Sequence, residues 1–141
     1  MLGKLTQDQI EQVLHAEVIG RIGCHSEGLT YVVPVTFAYD GQRIIVHSAE
    51  GMKVQMMRSN PSVCFQVDQI QDIANWRSVI LWGEFRELED IEAALGMGLL
   101  IERMRVPNSD ETSYYQTKGP MKATVYEIRI GQKTGRYEKS Q

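Results

Sequence analysis

The stretch that decides the fold is "YVVPVTFAYDGQRIIVHSAEGMKVQMMRSNP", Tyr31 to Pro61. It holds two apolar runs separated by Asp40-Gly41, a dipeptide suited to a tight hairpin turn. The second run ends in His47-Ser48, passes through Gly51 and enters a short helical pattern carrying Met52, Met56 and Met57. Pro61 stops that helix, because proline has no N–H to continue it. Strand, turn, strand and helix therefore follow one another within about thirty residues.

Working outward, "VIGRIGC" (Val18–Cys24) is an earlier strand closed by the turn signal "HSEG", and "LTYVVPVTFAY" (Leu29–Tyr39) returns beside it. "QRIIVHS", "SVCFQVD" and "RSVILWGEFREL" supply three more strands, the last two joined by a looser connection over Gln69–Trp76. "KATVYEIRI" is a sixth, followed by a glycine-bearing tail. "LTQDQIEQVLHAE" reads as a helix with Thr6 as N-cap and Gln9 completing a capping box. "EDIEAALGMGLLIERMR" reads as another, its inward stripe assigned to Ile91, Leu95, Leu99 and Ile101. The polar run "VPNSDETSYYQTKGP" is a long loop, whose Tyr114 and Tyr115 read as loop anchors.

The fold class expected is mainly β with short helices, a six-stranded antiparallel barrel forming a single domain over residues 1–141. A barrel removes the exposed strand edges of an open sheet. "YVVPV" and "SVILW" are apolar on both faces, which calls for a covered outer surface and points to a homodimer.

Composition narrows the function. The 141 residues are 43% hydrophobic and 23% charged, with net charge −3 and a pI near 5.6. An acidic balance argues against sequence-independent nucleic-acid binding. The longest apolar run is too short to cross a bilayer, and the N-terminus lacks a signal peptide's apolar core, so the expected location is the cytoplasm. Cys24 and Cys64 read as buried thiols, and the scattered His15, His25 and His47 offer no metal-ligand spacing. The G-x-G in "ALGMGLL" lies inside a helical pattern and does not follow a strand, so it is no dinucleotide fingerprint. Trp82, in mid-strand, reads as packing, and Glu87, Glu89, Asp90 and Glu92 favour the start of the second long helix.

The junction after "IIVHS" is the candidate site. A helix start presents unpaired N–H groups and the positive end of the dipole. Gly51 allows close approach, Ser48 brings a hydroxyl, His47 can donate or stack, and Lys53 carries a positive charge where acidic residues are usually favoured. Phosphate would reverse that conflict of sign. On spacing alone a plain strand–turn–helix with a solvated lysine is the commoner reading.

The segment from Tyr31 through Asp68, followed by "WRSVILWGEFREL", resembles the FMN-binding split-barrel superfamily of pyridoxamine 5'-phosphate oxidase, nearest to its nitroimidazole-resistance flavoproteins. The resemblance runs from about Val18 to Leu88 and resumes in "VYEIRIGQKTGRYE". It rests on Pro34-Val35, Tyr39-Asp40-Gly41, His47-Ser48-Ala49, Gly51-x-Lys53, Asn60-Pro61 and Trp76-x-Ser78-Val79…Gly83. It implies a split β-barrel homodimer with two FMN sites at the subunit interface. Val35 and Thr36 would lie along the flavin edge, and His47, Ser48 and Lys53 would hold or flank the phosphate. Trp76 and Ser78 would reach the flavin from the partner chain. The activity implied is that of an FMN-dependent oxidoreductase acting on a small molecule, with His47 the candidate catalytic side chain. Non-catalytic flavin or haem binding, and use of the deazaflavin F420, are the alternatives. The arginine- and histidine-bearing C-terminal segment of pyridoxamine phosphate oxidases has no counterpart in "GRYEKSQ", so oxidation of a vitamin B6 phosphate is not expected.

Overall fold

The computed structural model describes residues 1–104 and 123–141. Tyr114 and Tyr115 lie outside the described residues. In chain order the elements are β1 (Leu2–Lys4), α1 (Gln7–Ala16), β2 (Ile19–Ser26), β3 (Leu29–Thr36), β4 (Ala38–Tyr39), β5 (Arg43–Ala49), α2 (Met52–Ser59), β6 (Ser62–Asp72), β7 (Asn75–Glu87), α3 (Asp90–Met104) and β8 (Ala123–Glu138). The capping box forms as the spacing predicts. Thr6 Oγ1 accepts from Gln9 N at 3.2 Å, and Thr6 N donates to Gln9 Oε1 at 2.8 Å.

All described strand pairs are antiparallel, in the order β3-β2-β6-β7-β8-β5-β4, with β1 added beside the end of β8. The two ends of this order, β3 and β4, are consecutive in the chain. The predicted single strand Leu29–Tyr39 breaks at Phe37, whose N–H still bonds Val18 O at 2.9 Å, in register with the β2–β3 ladder. Its first part pairs with β2 and its last two residues pair with β5, so the sheet closes through one bent strand. The six expected strands are present, and this break together with the short β1 raises the count to eight.

Two connections differ from the reading of the sequence. Residues 69–76 form no loose link: β6 and β7 run on to an Asp72–Asn75 pair. No glycine marks that turn. Asp72 Oδ1 instead accepts from Ala74 N and Asn75 Nδ2, both at 2.9 Å, making the turn with a side chain. The C-terminal tail also stays in the sheet, and β8 reaches Glu138 past an irregularity opposite Trp82/Gly83. The Asp40-Gly41 turn forms as expected, with Gly41 at φ 95° and Asp40 Oδ1 accepting from Gln42 N and Arg43 N.

Alternation along β5 builds two cores. Ile44 and Val46 face inward with Tyr126 and Ile128, in a core completed by Ile10, Val13 and Leu14 of α1 and by Val54, Met56 and Met57 of α2. Ile45 faces outward with Ala38, beneath Leu100, Met97 and Met104 of α3. The predicted inward stripe of α3 is overturned, since Ile91, Leu95 and Leu99 are 77%, 62% and 40% exposed. Gly96 and Leu100 are buried instead. A Cβ on Gly96 would stand 3.1 Å from Leu88 Cδ1 and 3.2 Å from Val125 Cγ1. The helix is apolar on several sides, and the side without a side chain approaches the sheet most closely.

Candidate functional site

Two groups of the predicted residues gather at different places. The first lies where β5 gives way to α2. Gly51 is the N-cap and offers no side-chain cap, so the leading N–H groups of the helix keep no side-chain partner there. A Cβ on Gly51 would meet nothing nearer than Ala49 O at 4.0 Å, so the chain's own packing leaves room at this corner. Lys53, in the first turn, is partly buried and makes no hydrogen bond or ion pair with a described residue. Burial pulls its pKa below the usual lysine value, and the nearby Cys24 thiol offsets part of that shift. Arg58 is committed elsewhere. It holds Glu50 with two bonds, at 2.5 and 2.9 Å, and Glu87 with a third at 2.6 Å.

His47 and Ser48 are neighbours on a strand and so leave it on opposite faces. His47 pairs in register with Val125, which belongs to the small core beneath α3. Ser48 pairs with Thr124 and points inward toward Tyr126. The Ser48 Oγ and Tyr126 hydroxyl are both sealed from solvent, and neither completes a hydrogen bond of ordinary geometry. Burial drives the Tyr126 pKa well above the usual phenol value, and the neighbouring Ser48 offsets a smaller part. The Cys24 thiol is close enough to add to the shift, and it points to Tyr31 O at 3.7 Å. One end of the barrel thus collects Cys24, Ser48, Lys53 and Tyr126.

The second group is on the outer face of the sheet. Trp76 and Ser78 share a face of β7, with Trp76 Nε1 donating to Glu138 Oε2 at 3.2 Å and Ser78 Oγ accepting from Gln66 Nε2 at 3.1 Å. With Ile80, Thr134 and Arg136 they line a groove of about 370 Å³. Trp76 and Ile70 also border a larger cavity of about 590 Å³ that includes Gln9, Arg77 and Tyr137. Of the β3 pair, Val35 is buried in the barrel core, and Thr36 is exposed opposite Ile19. The cross-strand row Val32, Gly23, Cys64, Trp82 and Gln132 continues the open face. Trp82, read as a packing residue, is 44% exposed there, and Cys64 is only partly buried.

The two groups are far apart within one chain. Ser48 lies opposite Thr124 and Ser78 opposite Arg136, both on β8, about 40 Å of strand path apart at about 3.3 Å per residue. Sequence reasoning missed Gln66, Tyr126 and Arg136. The alternation of apolar residues in "ATVYEIRI" places Tyr126 inward, but its nearness to Ser48 needs the β5–β8 register. Among the described residues no three His, Cys, Asp or Glu side chains gather as a metal site would need. No described helix is long and apolar enough to cross a membrane.

Comparison with known proteins gives this geometry a context. An uncharacterised protein of Rhizobium meliloti is 32% identical over 84 residues, which cover 60% of this chain and 56% of that protein. The chain thus spans little more than half the length of that curated relative. Among solved structures, an FAD-binding protein from Mesorhizobium loti superposes with a TM-score of 0.83 at 28% identity, covering 99% of this chain and 98% of that one. A protein described as a candidate 5-nitroimidazole antibiotic resistance protein from Bacteroides thetaiotaomicron gives a TM-score of 0.75 at 20% identity, covering 97% and 87% of the two chains. The FAD- and haem-binding protein of Mycobacterium smegmatis gives 0.75 at 12% identity, covering 99% and 74%. The last two similarities speak to the fold alone. The sequence model of the pyridoxamine 5'-phosphate oxidase family matches residues 6–137, which contain every predicted residue of both groups, and the chain belongs to that family.

Proposed function

We propose that the chain is a single flavin-binding domain over residues 1–141 that pairs with a second copy and holds FMN at the interface, as a cytoplasmic oxidoreductase acting on a small molecule. The carrying observation is the corner at Gly51 and Lys53. It presents an uncapped helix start and a partly buried lysine without an acidic partner among the described residues. Donors in excess of acceptors, at a corner with room beside the backbone, suit a phosphate dianion.

The separation of the two groups supports the dimer. One chain holds Ser48 and Lys53 near one end of β8 and Trp76 and Ser78 near the other, so a flavin touching all four would need two chains. The exposed apolar residues Val32 and Trp82 supply a surface for the second copy to cover. Thr36, on the same open face, would meet the ring edge, with Val35 behind it in the barrel wall. His47 would flank the phosphate through backbone groups or from the outer side of β5, and it remains the candidate catalytic side chain. The flavin, when bound, supplies the electron transfer. The chain's residues position it, neutralise its phosphate and exclude water from its ring. The free thiols Cys24 and Cys64 suit a reducing compartment.

FMN and FAD share the phosphate this corner would grip, and the Mesorhizobium loti relative is described as FAD-binding. F420 fits less well. Its longer acidic tail asks for further cations, and Arg58 is already held by Glu50 and Glu87. The test is an absorption spectrum of the purified protein, with mass spectrometry of whatever is released on denaturation. A yellow protein releasing FMN is expected, with Lys53→Ala weakening retention about tenfold or more. Colourless protein that takes up no flavin on titration overturns the proposal. Flavin that is held but never reduced or reoxidised by any donor or acceptor would make the protein a binder without turnover.

A further inference from the structure

We propose that Tyr126 is a positioning residue of the phosphate cradle, acting through Ser48 and selecting phosphorylated over unphosphorylated flavin. The inference rests on the flavin reading above and adds to it a residue that does not itself reach the ligand.

The starting point is an imbalance of hydrogen-bonding groups. Buried hydroxyls in folded proteins nearly always have partners, and an orphan calls for a reason. Here Ser48 Oγ and the Tyr126 hydroxyl lie beside each other, and beyond that one loose contact neither has a partner among the described residues. The other polar groups around them are already engaged or are donors themselves. The Cys24 thiol is directed to Tyr31 O. The Glu50 carboxylate lies across the same strand end and already takes Thr124 Oγ1 at 3.0 Å and both Arg58 contacts. Lys53 brings three donors and no acceptor. If Tyr126 donates to Ser48 Oγ, the Ser48 proton is left over, at the barrel end where Cys24 also feels the Lys53 ammonium, which has no acidic partner among the described residues. The cluster lacks an acceptor, and an anion at the start of α2 would supply it.

Tyr126 is suited to this task by its immobility. Its ring is fully buried, and Phe85 packs against it with ring centroids 5.1 Å apart. A hydroxyl held that firmly fixes the direction in which Ser48 can donate, at little entropic cost on binding. The burial that keeps water off the pair also makes a phenolate unfavourable, so the hydroxyl stays a donor at any ordinary pH.

The experiment compares FMN with riboflavin, which lacks the phosphate, on the full chain carrying Tyr126→Phe, Ser48→Ala or both. Tyr126→Phe removes one oxygen and keeps the ring, and circular dichroism and thermal melting verify that each variant folds. The expected result is a loss of about tenfold in FMN affinity for each single variant, riboflavin affinity unchanged, and a double variant no weaker than Ser48→Ala alone. Equal losses for both ligands would mark a packing effect and overturn the inference. Full retention of FMN affinity, or losses that multiply in the double variant, would overturn it too. Inorganic phosphate gives a second readout, since it should raise the melting temperature of the wild type more than that of Tyr126→Phe. Wild-type protein that binds neither flavin yet shows the phosphate difference would sink the flavin reading and leave Tyr126 in its role. Flavin binding with no difference between the variants would do the reverse.

Discussion

The outer surface of the barrel has two halves made of similar residues and treated differently. Over β4, β5 and the first part of β8, α3 lies on Ala38, Ile45 and Val125, and Ile45 is fully buried. Over β3, β2, β6, β7 and the second part of β8 no described helix lies, and Val32 and Trp82 stay 61% and 44% exposed. Aliphatic side chains occupy both halves, and the open half adds the aromatic Trp82. In one half α3 supplies the cover, and in the other no described element does. Apolar residues on a strand therefore do not say which face is covered; the topology decides where α3 lies.

The comparison can be broken most severely from the covered side. Ile45→Ala removes a side chain packed between sheet and helix and should cost about 3 kcal/mol of stability. Urea unfolding should show that loss at every protein concentration, because the contact lies within one chain. Gly96→Val should cost about 2 kcal/mol, since its branched carbons would press on Leu88 and Val125 and lift α3. A loss confined to dilute samples in either variant would mean that α3 and the sheet are joined through a second copy.

The open side should respond in the opposite way. Trp82→Glu is expected to change the stability of the single chain by less than about 1 kcal/mol, because the ring is already exposed. It should nevertheless abolish self-association in sedimentation experiments, since a carboxylate would be buried without a partner. If the variant sediments as the wild type does, the open half is not the surface that pairs.

The smallest effect expected is on pH. Phosphate reaches its dianionic form above a second pKa of about 6. Lys53 has a pKa below the usual lysine value because burial disfavours its charge, and a bound anion would raise it. Binding then takes up a proton on the alkaline side. FMN affinity should be highest at neutral pH and fall as pH rises through the lowered lysine pKa of the free protein, by up to tenfold per unit. Lys53→Arg should remove that alkaline limb, since a guanidinium does not titrate there. An alkaline limb unchanged in that variant would place the titrating group elsewhere.

Much of this was legible in the residues. The capping box at Thr6, the Asp40-Gly41 turn and the stop at Pro61 are local chemistry, and each forms where the spacing predicts. The turn between β6 and β7 escaped because Asp72 makes it with a carboxylate instead of a glycine or proline. The face of α3 escaped for a different reason. Ile91, Leu95 and Leu99 satisfy helical periodicity as well as Gly96 and Leu100 do, and periodicity does not say which stripe is used. The candidate residues could be picked out one by one, and their arrangement could not. Adjacent positions such as His47 and Ser48 suggest one cradle until the strand sends them to opposite faces.

The sequence by itself determined the local elements, the break of strands into hairpins and the membership of Ser48, Gly51 and Lys53 in one strand–helix corner. These depend on backbone preferences and on neighbours within a few residues. Only the tertiary structure decided that Tyr126 stands behind Ser48, that Trp76 and Ser78 belong to a distant groove, and that Gly96 seats α3. Those facts follow from strand register and from packing volume, which join residues far apart in the chain and are set by closure of the whole sheet.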